Sequence, residues 1–211
     1  MKYTLIIAAL SFGLLVACSG EENTNEDTIT VEEVIETCTY SYDPAETVLT
    51  WTAFKLTEHK GVNGSFNEIN VVANNGSEDM FDVLIGATFN IPVSGTNSQD
   101  DVRDPKIKKS FFGVMNETEN ITGTIKALNG STGTVEIKMN GVAVEYQGEV
   151  TVEGEEITLL TTIDLVDFDA QIAVDSLGVV CEAKHTGEDG VNKLWTDVDI
   201  AVKTTLIKEC K

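Results

Sequence analysis

From Thr134 to Glu153 the chain alternates apolar and polar residues almost without a break, and it turns once, at Asn140-Gly141. Val135, Ile137 and Met139 fall on one side of the first run, with Thr134, Glu136 and Lys138 on the other. After the turn Val142, Val144, Tyr146, Gly148, Val150 and Val152 oppose Ala143, Glu145, Gln147, Glu149, Thr151 and Glu153. A period of two is the signature of a strand with one buried and one solvated face, and Asn-Gly is the strongest short hairpin signal. The same alternation recurs at 82–93, 120–128, 157–165 and 195–207, and runs at 48–56 and 65–73 bring the expected count to about eight strands. The expected fold class is therefore all-β and antiparallel. Eight such strands stack as a sandwich or close into a barrel, and closure removes the edges that would otherwise pair with other chains. The bore of an eight-stranded barrel takes either side chains or one elongated ligand. One stretch, 98–112, reads as a short helix: its acids come first, its lysines last, and Pro105 suits a first turn.

The N-terminus sets a compartment. Met1–Ala17 carries one lysine before an apolar run too short to span a bilayer, which is the pattern of a secretory signal peptide. Leu15-Val16-Ala17-Cys18 resembles the bacterial lipobox, which implies cleavage before Cys18 and acylation of that cysteine. Residues 19–37 hold seven acids and no Lys or Arg, so 18–44 reads as an extended acidic tether and 45–211 as the folded domain. Ser19-Gly20-Glu21-Glu22 resembles the short acidic signals that send some Bacteroidetes lipoproteins to the cell surface. The expected location is the bacterial envelope, lipid-anchored at the outer membrane on its periplasmic or surface face. A net charge of −21 with only 14 Lys and Arg excludes nucleic acid as a partner, because phosphate contacts need clustered cations.

Catalytic chemistry is hard to find in the sequence. It has no G-x-S-x-G elbow, phosphate loop or H-E-x-x-H. Two histidines, His59 and His185, are the only imidazoles. Each reads best as a polar residue at a strand or turn end, and an enzyme would need both to converge in one pocket. Cys181 and His185 would share a face if their segment were helical, giving half of a metal site, but no second pair stands at ligand spacing. No metal and no cofactor is expected. The acids of 164–175 lack the glycine and terminal glutamate of an EF-hand and read as solvated strand ends.

Several phrases, spread over roughly 45–208, resemble the YceI-like family of bacterial envelope proteins. Thr96, Asn97, Arg103, Asp104, Ile107 and Phe111 or Phe112 match its most specific motif. Residues 50–66, ending in Gly64-Ser65-Phe66, match its opening strand; 135–152 matches its hairpin, and 163–168 a late strand-end phrase. The resemblance implies a lipocalin-like barrel around a polyisoprenoid or other long-chain lipid. The alternative is a non-enzymatic structural or adhesion domain with a filled core, since a filled barrel shows the same alternation. If a chain is bound, the expected lining is Trp51, Ile85, Phe89, Ile137, Met139, Val144, Tyr146, Ile163, Ile200 and Val202. The mouth is expected near the 98–112 helix, with Phe111 or Phe112 covering the bore and His59 at the rim. Arg103 is the expected contact for an anionic head, or else an ion pair with Asp101 or Asp104 pins the helix. In a closed antiparallel barrel the first and last strands pair, so Cys38 and Cys210 are expected to form a disulfide, leaving Cys181 reduced. The oligomeric state is not readable from the sequence.

Overall fold

The computed structural model describes residues 36–211; Cys18, the expected signal peptide and most of the expected tether lie outside the described residues. The chain is all-β and antiparallel, with a strongly curled main sheet and a few short helices. Strand β1 (Cys38–Ser41) pairs with β12 (Ile207–Cys210) as a separate two-stranded sheet. The main sheet comprises β2 (Thr47–Lys55), β3 (Lys60–Phe66), β4 (Asn70–Val72), β5 (Thr88–Pro92), β6 (Thr96–Asn97), β7 (Asn120–Leu128), β8 (Thr132–Met139), β9 (Val142–Glu153), β10 (Glu156–Asp164) and β11 (Leu194–Thr205). Its order is β4-β5-β7-β8-β9-β10-β11-β2-β3-β6.

Ten strands in that sheet exceed the expected count of about eight. The excess arises where the run 60–72 breaks into β3 and β4, and the run 88–97 breaks into β5 and β6. Facing Ser65↔Asn97 and Phe66↔Thr96 give way to Asn70↔Asn90 and Val71↔Phe89, and between them the Asn67 N–H donates to the Gly95 carbonyl at 2.8 Å. The pairing slips there because a short 3₁₀ turn, Val93–Gly95, inserts into one side.

The central hairpin follows from its turn. Asn140 and Gly141 have φ of +52° and +75°, the left-handed pair that a two-residue hairpin loop requires. Asn140 is also buried and accepts from the Asn116 N–H at 2.6 Å, while its amide donates to the carbonyls of Phe168, at 2.8 Å, and Asp169. Elsewhere glycines make room for large rings. Trp51 lies over Gly64 of the neighbouring strand and Phe89 over Gly123, and a Cβ at either glycine would collide with the ring.

Helical content departs from expectation. The 98–112 stretch is helical only as α2 (Asp104–Ser110), with Pro105 in its first turn, followed by a 3₁₀ turn at Phe112–Val114. Three further helices were read as strand or left unassigned: α1 (Met80–Leu84), α3 (Gln171–Val180) and α4 (Glu182–His185). The apolar run 82–93 is thus part helix and part strand, divided by Gly86 at φ +81°. Of the acids of 164–175 only Asp164 ends a strand; Asp167 and Asp169 belong to a turn and Asp175 to α3. Residues 165–168 form a 3₁₀ turn, and Phe168, Ala170, Ala173 and Val174 are buried against the sheet.

Cys38 and Cys210 form a disulfide; Cys181 is a buried free thiol. The strands expected to be first and last do pair, as β2 and β11, while the two cysteines themselves lie on a further ladder, β1–β12, beside the sheet. Residues 36–44 therefore belong to the folded unit and not to the tether: Thr37 exchanges backbone bonds with Lys211, and Tyr40 with Ser77 and Gly76. Closing 172 residues into one loop contributes about 5 kcal/mol in the chain-entropy account.

Asn140→Ala should cost about 1–2 kcal/mol, since it removes the side chain that favours a left-handed φ and leaves the buried Phe168 carbonyl without its donor. Urea unfolding measures it; a change under about 0.5 kcal/mol would show that water replaces the side chain.

Candidate functional site

The inward faces of the curled sheet enclose two apolar cavities. The first, of about 150 Å³, is walled by Phe89, Ile137, Ile157, Leu159, Val202 and their neighbours. The second, of about 130 Å³, is walled by Trp51, Ile107, Phe111, Phe112, Leu177 and Leu194 among others. Phe66, Ile121, Met139, Ile163 and Ile200 border both, so one layer of side chains separates the two spaces. The polar atoms in these walls are turned to protein partners: the Thr47 and Thr204 hydroxyls bond each other at 2.8 Å, and Thr161 donates to the Gln147 carbonyl. The Tyr42 hydroxyl is the exception, buried with no partner.

The expected lining residues fall into three groups. Phe89, Ile137, Met139, Ile163, Ile200 and Val202 border the first cavity, and Trp51 the second. Val144 and Tyr146 face inward but are covered by the 165–168 turn; Tyr146 stacks near Phe168 and donates its hydroxyl to Asp167 at 2.8 Å. Burial first, then that hydrogen bond, holds the Tyr146 phenol above the usual range. Ile85 borders neither cavity: it caps α1, and its neighbour Leu84 lines the first cavity instead, because the strand expected there is a helix. Tyr42 was missed because it follows an acidic segment.

Beside the second cavity lies a cleft of about 250 Å³. Trp51, Ala53, Ile107, Leu177 and Leu194 wall both spaces, and the cleft adds Lys55, Arg103, Lys106, Lys184, Asp100 and His185. Helix α2 contributes Arg103 and Lys106 from its first turn, α4 contributes Lys184 and His185, and β2 contributes Lys55 from its end. Arg103 pairs with Asp100 at 3.2 Å, and not with Asp101 or Asp104; Asp104 instead accepts from Ser98. The Asp100 carboxyl is held below the usual carboxylate range by the backbone N–H groups of Arg103 and Val102. Partial burial lowers the Lys55 ammonium, and the charges of Arg103, Lys60 and Lys184 push the same way. His185 is 8% exposed, with Nδ1 unpartnered. Burial, then Lys55 and Lys106, holds its imidazole below the usual histidine range.

His59 is not in this cleft. It sits at φ +55° in the turn between β2 and β3, stacked on Phe54 at 3.9 Å and edge-on to Trp195, with Nε2 2.8 Å from Asp197. It closes the end of β2, as expected, and clasps that turn to β11 without itself lining any of the three spaces. The two histidines do not share a cavity. Among the described residues, no three His, Cys, Asp or Glu side chains are grouped to hold a metal ion.

The YceI-like domain family matches residues 40–206. The chain belongs to that family. Among solved structures, a polyisoprenoid binding domain from Saccharophagus degradans, implicated in plant cell wall breakdown, is similar with a TM-score of 0.54 at 15% identity, covering 83% of this chain and 99% of that one. BcnA from Burkholderia cenocepacia is similar with a TM-score of 0.52 at 13% identity, over 80% and 99%. At such identities these likenesses concern the fold. Comparison with curated proteins finds no match. In this YceI-like chain the motif residues divide by role. Thr96 donates to the Val93 carbonyl and Asn97 bonds Asn67 and the Gln99 N–H, bracing the turn before α2; Ile107, Phe111 and Phe112 reach the second cavity.

His185 makes stability depend on pH with a definite sign. The folded state holds the imidazole below its unfolded value of about 6.5, so the unfolded chain takes up the proton first as pH falls. Its contribution is intact above that value and is lost as pH drops toward the folded-state pKa. His185→Gln should flatten the fall in stability between about pH 7 and about pH 5.5, read by urea unfolding at both. An unchanged slope would assign the dependence to other groups.

Proposed function

We propose that this YceI-like protein is a lipid-anchored binder, with a polyisoprenoid or similarly long apolar molecule held inside its curled sheet. One observation carries the reading: two apolar cavities in the bore, parted by a single layer of five side chains. The similar domain from Saccharophagus degradans, itself a polyisoprenoid binding domain, supports it. Moving each five-carbon isoprene unit from water into such a space gains about 4 kcal/mol gross, so the bore can supply affinity with few polar contacts. Binding, without catalysis, accounts for a site whose walls hold no reacting pair. The lipobox ending at Cys18 supports an anchor in the bacterial envelope at the outer membrane, and a disulfide suits that oxidising compartment.

The cavity volumes keep a filled core in play as the second reading. Each space, at about 150 and about 130 Å³, is of the size that takes a benzene-like group. A chain of several isoprene units needs Phe66, Ile121, Met139, Ile163 and Ile200 to part. A fluorescent polyprenyl probe decides between the readings. The wild type should bind it and Ile137→Trp should not, although overpacking costs about 1–3 kcal/mol and a thermal melt must show the variant folded. Full binding by folded Ile137→Trp would place the ligand elsewhere, and no binding by the wild type would leave the filled core.

The anchor has its own test. Growth with an alkyne fatty acid should label the wild type and leave Cys18→Ser unlabelled; equal labelling of both would rule out Cys18 as the acylated residue.

A further inference from the structure

Of the 14 Lys and Arg residues in a chain of net charge −21, four converge on one cleft: Lys55, Arg103, Lys106 and Lys184. Asp100 is the one acid among the residues that line it, and it pairs with Arg103 alone. Among the described residues Lys55, Lys106 and Lys184 make no ion pair; Lys55 donates to the Lys184 carbonyl at 3.1 Å. The rest of the lining is mostly apolar, with Trp51, Ala53, Phe54, Val62, Ile107 and Leu177. Like charges gathered on an apolar wall repel one another and are stabilised when a counter-charge joins them. An acidic protein could supply that counter-charge from its many carboxylates, and among the described residues it does so only through Asp100. His185, nine-tenths buried in the same lining, adds an unpartnered ring nitrogen.

We infer that this cleft binds the anionic head, a phosphate ester or a carboxylate, of the amphiphile whose apolar chain enters the adjoining cavities. The proposal rests on the binding reading above and adds the class of head. Connectivity gives the orientation. The cleft shares a wall with the second cavity, which shares a wall with the first, so a head at Lys55 and Lys106 leads its chain inward past Trp51 and Ile107. Arg103 takes part through its free guanidinium edge, since its one ion pair uses a single nitrogen. Lys55 and Lys106 are partly buried and reach from separate elements, β2 and α2, so they grip an anion from two sides.

The experiment compares farnesol, farnesyl phosphate and inorganic phosphate on the full mature chain, by calorimetry at low and high salt. In the wild type farnesyl phosphate should bind about tenfold or more tightly than farnesol, and the advantage should shrink as salt screens it. Lys55→Met/Lys106→Met keeps the aliphatic stems and should remove most of that advantage while leaving farnesol binding unchanged. Equal affinity for the two ligands in the wild type overturns the head site and leaves the apolar-chain reading standing. So does an advantage that survives in the double variant. Inorganic phosphate binding as tightly as the ester would make this a free-anion site and overturn the amphiphile. Failure of farnesol, with the ester still bound in a lysine-dependent way, would count against chain affinity in the bore and uphold the anion site. An independent readout is the His185 ring: its NMR resonances should move with farnesyl phosphate and not with farnesol, and a ring blind to both would oppose the placement.

Discussion

The ladder between β2 and β11 joins residues about 150 positions apart in sequence, from Thr47↔Thr204 to Ala53↔Val198, and the rest of the molecule depends on it. The meander β7 to β10 needs only local hairpins and β11 joins it after the helical excursion 165–193; these five strands alone would leave two open edges and a bare apolar face. When β11 takes β2 as its partner, the sheet curls, and the inward residues of strands from opposite ends of the chain come to share one interior. Trp51 on β2 then borders the same space as Met139 on β8 and Ile163 on β10. The disulfide reinforces this arrangement from outside, since Cys38 and Cys210 tie together the segments that lead into β2 and out of β11. Gly64 and Gly123 serve it from inside: each leaves room on its strand for an aromatic ring of a neighbouring strand to lie flat against the curved wall.

What was legible in the sequence was what is local. The 134–153 hairpin is set by its own alternation and by the one dipeptide that tolerates two left-handed residues, and no distant contact is needed to read it. Most of the inward positions of β8, β10 and β11 follow from that periodicity. Helix α3 was not legible for the opposite reason. Gln171–Val180 carries four β-branched residues and a glycine, and no side chain caps its start, so intrinsic preference does not favour a helix. Burial of Ala173 and packing of Val174 against the inward residues of the sheet override that preference. The run 82–93 failed at the helix–strand ambiguity of short apolar segments, although Asp79, whose carboxylate caps Phe81 N, was the available signal.

Contacts remote in sequence decide two further placements. Tyr40 and Tyr42 follow an acidic stretch, yet the disulfide and the β1–β12 ladder draw them onto the domain, where Tyr42 reaches the first cavity. His59 drew attention through its neighbours Glu58 and Lys60, but its partners are remote in sequence: Asp197 and Trp195 lie about 140 positions further on. The cleft around Lys55 was equally hidden. Its four cations come from three elements, Lys55 from β2, Arg103 and Lys106 from the start of α2 and Lys184 from α4, so no run of Lys or Arg marks it in the sequence.

The distribution of charge and of polar partners separates the two ends of the bore. At the α2 end one acid, Asp100, lines the cleft, and among the described residues three lysines stand without carboxylate partners beside an apolar passage. At the far end, near Tyr42, Thr47 and Thr204, no charged residue borders the cavity, and the two threonine hydroxyls satisfy each other. A molecule with one charged end and one long apolar end meets a matching gradient from cleft to cavity, whereas the reverse entry would strand its charge in the apolar far end without a partner, at a cost of several kcal/mol or more. The same asymmetry would let the bore accept chains of different length, because each added apolar unit extends inward while the head stays at the cleft.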